Sequence, residues 1–155
     1  MTHHKFGLCN RLLLVSLILV LSISFLGCDK TGNSALVTRV IDGDTIEIEG
    51  GYHVRYIGID TPEKGDALYG EATQANRNLV EGRKVHLEAD VEDKDDNGRL
   101  LRYIWLDNTM VNAELVRLGY AYSYSYPPNV KYQAYFLRLE REAREQKLGL
   151  WSINH

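Results

Sequence analysis

The sequence predicts an α+β, mainly β domain in which five short strands form a Greek-key barrel and three helices pack against it. Two observations predict this class. Five runs rich in Val, Ile, Leu, Thr and Tyr are bounded by glycine turns or charged loops, as half-buried strands are. One run with helical periodicity lies between the third and fourth strands, and two more follow the fifth. The sequence contains no internal repeat.

The first three strands are predicted to form a meander. A stretch rich in Val, Ile and Thr, residues 36–49, is divided by the turn pair Asp42-Gly43, and a Gly-Gly turn then leads into a third strand, residues 52–59. Alternating isoleucines in the second strand place Asp44 on the buried face, and the third strand delivers Asp60 at its end. The two acidic clusters that contain these aspartates are therefore predicted to meet at one rim of the barrel.

The remaining elements complete the barrel and its helical cover. Two strands flank a charged, solvated hairpin connection, residues 90–98, and each predicted helix has apolar residues three or four positions apart. Five strands with a helix between the third and the fourth predict a small barrel of the oligonucleotide-binding kind, an OB-fold. The predicted strands are residues 84–89 and 100–106, and the predicted helices are residues 69–81, 111–118 and 132–143.

The first 27 residues are predicted to be a signal peptide. Lys5 and Arg11 supply positive charge, and residues 12–27 form a 16-residue apolar run without a charged side chain, shorter than the about 20 residues of a spanning helix. The run ends in Leu26-Gly27-Cys28, which resembles a bacterial lipoprotein processing box with Cys28 as the lipidated residue. The expected product is exported and anchored at the cell envelope by its lipid. The alternative is a secreted protein or an uncleaved signal anchor.

Residues 28–35 are then a tether, and residues 36–153 are one domain. Both cysteines, Cys9 and Cys28, lie in or beside the signal, so no disulfide partner is expected and the domain must be held by an ordinary core. We expect a monomer. Without the signal the chain has 16 basic and 21 acidic side chains, a formal net charge of −5. Because lysine and arginine normally dominate the affinity for nucleic acid, a nucleic-acid ligand would require bound cations or a locally basic cleft.

The two acidic clusters, with Arg55 between them and Gly98-Arg99 farther on, indicate metal-assisted attack on a phosphodiester. Carboxylate oxygens are the ligands that a hard cation such as Ca²⁺ prefers, and guanidinium groups match the oxygens of a phosphate. A zinc site is not predicted, since His53 and His86 lie in separate strands with no cysteine or histidine beside them. The segment containing Asp93 and Asp95 begins like an EF-hand loop, but Ile104 stands where its last ligand, a glutamate, is needed.

An ordered set of motifs resembles the thermonuclease, or staphylococcal nuclease, family over residues 36–152. The resemblance implies a five-stranded barrel with three helices and Ca²⁺-dependent hydrolysis of phosphodiester bonds in DNA and RNA. The motifs are Val40-Ile41-Asp42-Gly43-Asp44-Thr45, Arg55, Ile59-Asp60-Thr61-Pro62-Glu63, Gly98-Arg99, Val111-Asn112 and Leu148-Gly149-Leu150-Trp151.

The resemblance also implies roles for individual residues. Asp44, Asp60 and the backbone carbonyl of Thr61 are the implied ligands of Ca²⁺, and Asp42 is an implied support beside them. Glu63 is implied to activate the attacking water or hold it in line, while Arg55 and Arg99 are implied to bind the phosphate. Asp42 alternatively only shapes its turn. Glu63 alternatively only begins a turn or helix, and Arg99 has acidic neighbours in residues 92–96 that offer salt bridges.

Tyr124 and Tyr126 are the implied nucleotide-contacting residues, whereas Tyr120 and Tyr122 are expected to pack or lie at an edge. Asn97 departs from the family, which often has an aromatic residue there, and the acidic segment replaces its basic character. The expected partners are a nucleic-acid substrate, with a preference for single strands, and the membrane through the lipid. The alternative function is an inactive OB-fold module that binds nucleic acid or another ligand. The intact set of acids and arginines favours the enzyme.

Overall fold

Residues 33–152 are described by the structure, which is a computed structural model. The predicted signal peptide, Cys28 and most of the predicted tether lie outside these residues. Within residues 33–152, no helix is both long enough and apolar enough to cross a membrane.

Five strands form a closed barrel, as predicted. The strands in residues 33–152 are β1 Ser34–Val40, β2 Thr45–Ile48, β3 Tyr52–Tyr56, β4 Ile59–Asp60, β5 Lys84–Glu88, β6 Leu100–Leu106, β7 Thr109–Met110 and β8 Tyr122–Ser123. The five barrel strands pair in the order β3-β2-β1-β5-β6, and a parallel pairing of β3 with β6 closes the barrel. Antiparallel β5 and β6 are joined by the charged connection, which confirms its predicted hairpin character.

Three helices cover the barrel: α1 Tyr69–Val80, α2 Val111–Arg117 and α3 Gln133–Glu145, followed by a 3₁₀ turn, Gly149–Ser152. Each ends within two residues of its predicted bound. In α3 the buried residues Phe136, Leu139 and Ala143 recur at three- and four-residue spacing, so one face of the helix packs on the core. The three-helix prediction is confirmed.

Two predicted boundaries change. β1 begins at Ser34, where Ser34 and Ala35 pair with β5, so the last two residues assigned to the tether belong to the barrel. The predicted third strand breaks at Gly58, whose φ of +79° an extended strand does not allow. A side chain at Gly58 would also collide with the Phe136 ring, since a Cβ would lie 2.6 Å from it. The chain therefore leaves the barrel here, and β4 pairs with β8 instead.

Candidate active site

Asp44 lies at the end of the turn between β1 and β2 and is buried, with 5% of its surface exposed. Its backbone N–H donates to Asp42 Oδ1 at 3.1 Å, so Asp42 stabilises the turn that presents Asp44. Its Oδ2 accepts hydrogen bonds from both the backbone N–H and the hydroxyl of Thr61, each at 2.9 Å. The first acidic cluster is thereby tied directly to the second.

Gly43 explains how the two clusters approach so closely. A Cβ at this position would lie 2.5 Å from Thr61 Oγ1, so any side chain here would push Thr61 away from Asp44. Asn76, which is fully buried in α1, strengthens the same turn. Its Nδ2 donates to the carbonyl of Asp42 at 3.0 Å, and its Oδ1 accepts from the Tyr56 hydroxyl at 2.9 Å.

Arg55 lies between the two carboxylates. Its Nη2 donates to Asp60 Oδ1 at 2.8 Å, and its Nη1 lies 2.5 Å from Asp44 Oδ2. The Nη1 contact is an ion pair without an aligned hydrogen bond, because this buried nitrogen directs no N–H at an acceptor among the described residues. Asp60 is more open to solvent than Asp44, with 44% of its side chain exposed against 7%.

Burial raises the pKa of Asp44 to about 6, although the charge of Arg55 and the hydrogen bonds from Thr61 act in the opposite direction. The charge of Asp42 adds to the increase. A carboxyl group in this position needs a nearby positive charge to stay ionised at neutral pH. The guanidinium of Arg55 supplies it here.

Arg99 stands at the end of the acidic loop, which we define as residues 90–98. Its Nε donates to Asp95 Oδ2 at 2.6 Å, and its backbone N–H donates to Asp95 Oδ1 at 2.9 Å. Asp95 also accepts from the backbone of Asn97, so one carboxylate organises the whole turn. Burial alone would raise the pKa of Asp95, but its hydrogen bonds with Arg99 and the charge of Arg99 outweigh burial and lower it.

Barrel closure brings the two arginines to one cavity. In the parallel pairing of β3 with β6, Arg55 is opposite Leu101, so Arg99 lies only two residues before the partner of Arg55. The cavity has a volume of about 250 Å³, and its floor is the turn between β3 and β4. Its charged and aromatic lining residues are Arg55, Tyr56, Asp60, Asp95, Arg99, Tyr124 and Tyr126.

Tyr124 and Tyr126 form the wall that faces the acidic loop. The backbone N–H of Tyr124 donates to Gly58 O at 3.0 Å, and 52% of the residue is exposed. Burial and the charges of Glu92 and Asp96 raise the pKa of Tyr126, which therefore stays a neutral hydrogen-bonding phenol. Tyr122 lies outside this wall, where its ring packs edge-on against Trp151 at 5.3 Å.

Glu63 lies on the exposed loop that follows Asp60. Its backbone N–H donates to Asp66 Oδ2 at 3.0 Å, and the backbone N–H of Asp66 donates back to Glu63 O at 2.9 Å. Glu63 is not among the residues that line the cavity. Its carboxylate makes no hydrogen bond or ion pair with any residue in 33–152.

The predicted donors have the chemistry that a hard cation prefers. Asp44 and Asp60 contact the same guanidinium, so the site already gathers two carboxylates around one positive charge. The exposure of Asp60 leaves room for water ligands. Within residues 33–152, however, no three His, Cys, Asp or Glu side chains are arranged to hold a metal, so a cation here needs backbone or water oxygens as well.

Three polar residues that support the site are not singled out as site residues by any sequence pattern. Asn76 lies within a helix pattern, Asp95 within a run of acids, and Asn129 beyond the tyrosines, where it is fully buried. Asn76 and Asn129 belong to no motif, and the sequence offers Asp95 only as one of several acidic salt-bridge partners for Arg99. Only the tertiary contacts distinguish Asp95 from the four other acidic residues of its loop.

The amino-acid sequence is similar to those of several known proteins. Residues 53–153 match the family described as staphylococcal nuclease homologue. The chain is 40% identical over 132 residues to a thermonuclease of Staphylococcus intermedius, covering 79% of each protein. It is 36% identical over 160 residues to a thermonuclease of Staphylococcus hyicus, covering 91% of this chain and 95% of that protein. It is also 43% identical over 127 residues to the endonuclease YncB of Bacillus subtilis, covering 74% of this chain and 59% of that protein.

Proposed function

Because the chain belongs to the family of staphylococcal nuclease homologues and is therefore a nuclease, we propose that it hydrolyses phosphodiester bonds of DNA or RNA in a calcium-dependent reaction. The observation that carries the proposal is the cavity, which is lined by Arg55, Arg99 and Asp60, and in which Arg55 contacts the carboxylates of both Asp44 and Asp60. Positive groups for a phosphate and oxygen ligands for a cation are thus next to one another.

Hydrolysis forms a bond from a water oxygen to phosphorus and breaks the bond from phosphorus to the leaving oxygen. The attacking water must lose a proton, and the leaving oxygen must gain one. Glu63 is our candidate for holding this water or accepting its proton. It follows Asp60 by three residues, and its carboxylate is exposed and not engaged by another residue in the described part of the chain.

Arg55 and Arg99 stabilise the negative charge that grows on the phosphate oxygens. Arg99 is ready for this role, because its hydrogen bond to Asp95 uses Nε alone among its guanidinium nitrogens. Arg55 is not, since both of its terminal nitrogens contact carboxylates. Arg55 can turn to a phosphate only when another positive charge neutralises Asp44 and Asp60.

Calcium held by Asp44, Asp60 and the backbone carbonyl of Thr61 would supply that charge and polarise a phosphate oxygen, with Asp42 supporting Asp44. Tyr124 and Tyr126 offer the bases of the substrate a stacking or hydrogen-bonding surface. The net negative charge of the domain and the short loop after Glu63, with its single Lys64, support a preference for single strands.

The decisive experiment measures cleavage of single-stranded DNA and RNA by the full-length protein in calcium and in a calcium chelator. We expect cleavage in calcium only, and a rate at least about 100-fold lower for Glu63→Gln. Glu71→Gln is the matched control, because Glu71 is an exposed glutamate at the start of α1, away from the cavity. Oligonucleotide binding without cleavage by the wild-type protein would contradict the enzyme and favour the binding module.

We further propose that the protein is exported, anchored through lipid on Cys28 and monomeric. The composition of residues 1–28 supports the anchor. Metabolic labelling with a radioactive fatty acid should mark the wild-type protein and the control Cys9→Ala but not Cys28→Ala. Labelling that persists in Cys28→Ala would contradict lipidation at this residue. Light scattering of the domain without its lipid anchor, in a solution without detergent, should give the mass of a monomer.

A further inference from the structure

Asn129 is a fully buried polar residue in an otherwise exposed segment. Its neighbours Pro128 and Val130 are exposed, whereas Asn129 has no accessible surface. A buried amide is costly unless its donor and acceptor are both satisfied. The hydrogen-bond partners of this side chain therefore show which part of the protein the segment contacts.

Both ends of the Asn129 amide bind the backbone of one residue in the acidic loop. Its Oδ1 accepts from the N–H of Glu92 at 2.7 Å, and its Nδ2 donates to the carbonyl of Glu92 at 3.2 Å. The backbone N–H of Asn129 meanwhile donates to the carbonyl of Tyr126 at 2.7 Å. One residue thus joins Tyr126 to a loop 37 positions away in sequence.

The two segments joined in this way both line the cavity. Tyr124 and Tyr126 come from one segment, and Asp95 and Arg99 come from the other. The acidic loop and the tyrosine wall share no strand ladder between them in the described structure. The two hydrogen bonds of the Asn129 side-chain amide join them instead, next to a third from the Lys131 N–H to Asp90 Oδ2 at 3.0 Å.

Arg99 has a separate support. Asp95 binds both its side chain and its backbone, and the Leu101 N–H donates to the carbonyl of Asp93 at 2.9 Å, which fixes the loop to β6. Tyr126 packs against the core, but its phenol makes no hydrogen bond within residues 33–152, so its position at the cavity depends on the segment that Asn129 anchors. Loss of the Asn129 amide should therefore loosen Tyr126 while leaving Arg99 in place.

From these contacts we propose that Asn129 is a positioning residue for substrate binding, which fixes Tyr126 and thereby sets the width of the cavity. The inference rests on the proposed nuclease function. It extends that function to a residue that touches neither phosphate nor cation and that acts through the tyrosine wall. Its effect should appear in the affinity for substrate and hardly at all in the chemical step.

The test compares the full-length wild-type protein with Asn129→Ala on a single-stranded oligonucleotide in calcium. We expect KM to rise about tenfold, the scale of one or two lost hydrogen bonds, with kcat within about twofold. Fluorescence anisotropy of the same oligonucleotide in chelator should show a similar loss of affinity without any chemistry. A fall in kcat with unchanged KM would overturn the proposal.

A double variant tests whether Asn129 acts through Tyr126. If it does, Asn129→Ala adds little to the KM of Tyr126→Ala, because the group it positions is already gone. Fully additive effects on KM would overturn the proposal. If the wild-type protein cleaves nothing, the proposed function fails instead, and the anisotropy measurement still decides the role of Asn129 in binding.

Val116→Ala is the control for a general loss of stability. Val116 is fully buried in α2 and does not line the cavity. Both variants are assayed well below their melting temperatures. An equal rise of KM in Val116→Ala at equal destabilisation would overturn the proposal. If Asn129→Ala does not fold, Asn129→Ser replaces it, since serine keeps a polar group but is too short to bridge to Glu92.

Discussion

The two arginines of the cavity are held in opposite ways. Arg55 lies within a barrel strand and has 17% of its side chain exposed. It is shared by two carboxylates, Asp44 from the turn before β2 and Asp60 from β4. Arg99 lies at the end of a loop, has 32% of its side chain exposed and is held by one carboxylate four residues earlier. The first contact joins distant parts of the chain, whereas the second is local.

This difference separates stability from activity. Removing one partner of a buried ion pair leaves an uncompensated charge inside the protein, whereas breaking a pair whose arginine is one-third exposed, as Arg99 is, costs less. Arg55 should therefore matter to both folding and catalysis. Arg99 should matter to catalysis almost alone.

Arg55→Ala should have the largest effect. It leaves Asp44 buried without its cation, and we expect the free energy of unfolding to fall by about 3 kcal/mol together with a loss of cleavage of at least about 100-fold. Urea denaturation and the cleavage rate measure the two effects. The double variant Asp44→Asn/Arg55→Met removes both charges and should recover stability without recovering activity. Recovery of neither would show that the ion pair is not the source of the loss.

Arg99→Ala should reduce cleavage by about 100-fold, the scale for losing a transition-state donor, and should lower the free energy of unfolding by less than about 1 kcal/mol. Arg102→Ala is the matched control. Arg102 binds Asp93 of the same acidic loop at 2.6 Å but does not line the cavity, so its variant should cleave at nearly the wild-type rate. Near-normal activity of Arg99→Ala would mean that Asp95 has withdrawn Arg99 from catalysis.

Asp95→Asn should have a smaller effect, because it weakens the hold on Arg99 without removing the guanidinium. We expect kcat to fall about tenfold. Losing a charge-assisted hydrogen bond costs about 1.5 kcal/mol, which corresponds to about a factor of ten in rate. Asp93→Asn is the control in the same loop, as Asp93 pairs with Arg102 instead. An increase of kcat would show that Asp95 restrains Arg99 rather than aligning it.

The sequence predicts the barrel and the Arg55 side of the cavity better than the Arg99 side. Alternating isoleucines, glycine turns and helical spacing are local signals, and they place the strands of the barrel and the turn that carries Asp44. The division of the third strand at Gly58 depends on the Phe136 ring of a distant helix, which no local pattern contains. Likewise, five acids in one loop look alike until tertiary contacts assign Asp95 to Arg99 and the backbone of Glu92 to Asn129.

The smallest predicted effect is a pH dependence of stability that belongs to the Arg99 side. Because the pKa of Asp95 is lowered in the folded protein, its contribution to stability is present above its unfolded pKa, about 3.9, and is lost as the pH falls through the folded value. The difference in unfolding free energy between the wild-type protein and Asp95→Asn should therefore be largest at neutral pH and should shrink in acid. Urea denaturation at pH 7 and near pH 3 measures it.

Arg99→Ala should lose the same pH dependence, because the hydrogen bonds and charge that lower the pKa of Asp95 come mainly from Arg99. Arg102→Ala should keep it. The difference in unfolding free energy between the wild-type protein and Asp95→Asn could instead be equal at both pH values. In that case, ionisation of Asp95 does not stabilise the folded protein. The arginine would then be held by the shape of the loop rather than by charge, and the contrast between the two arginines would be one of geometry alone.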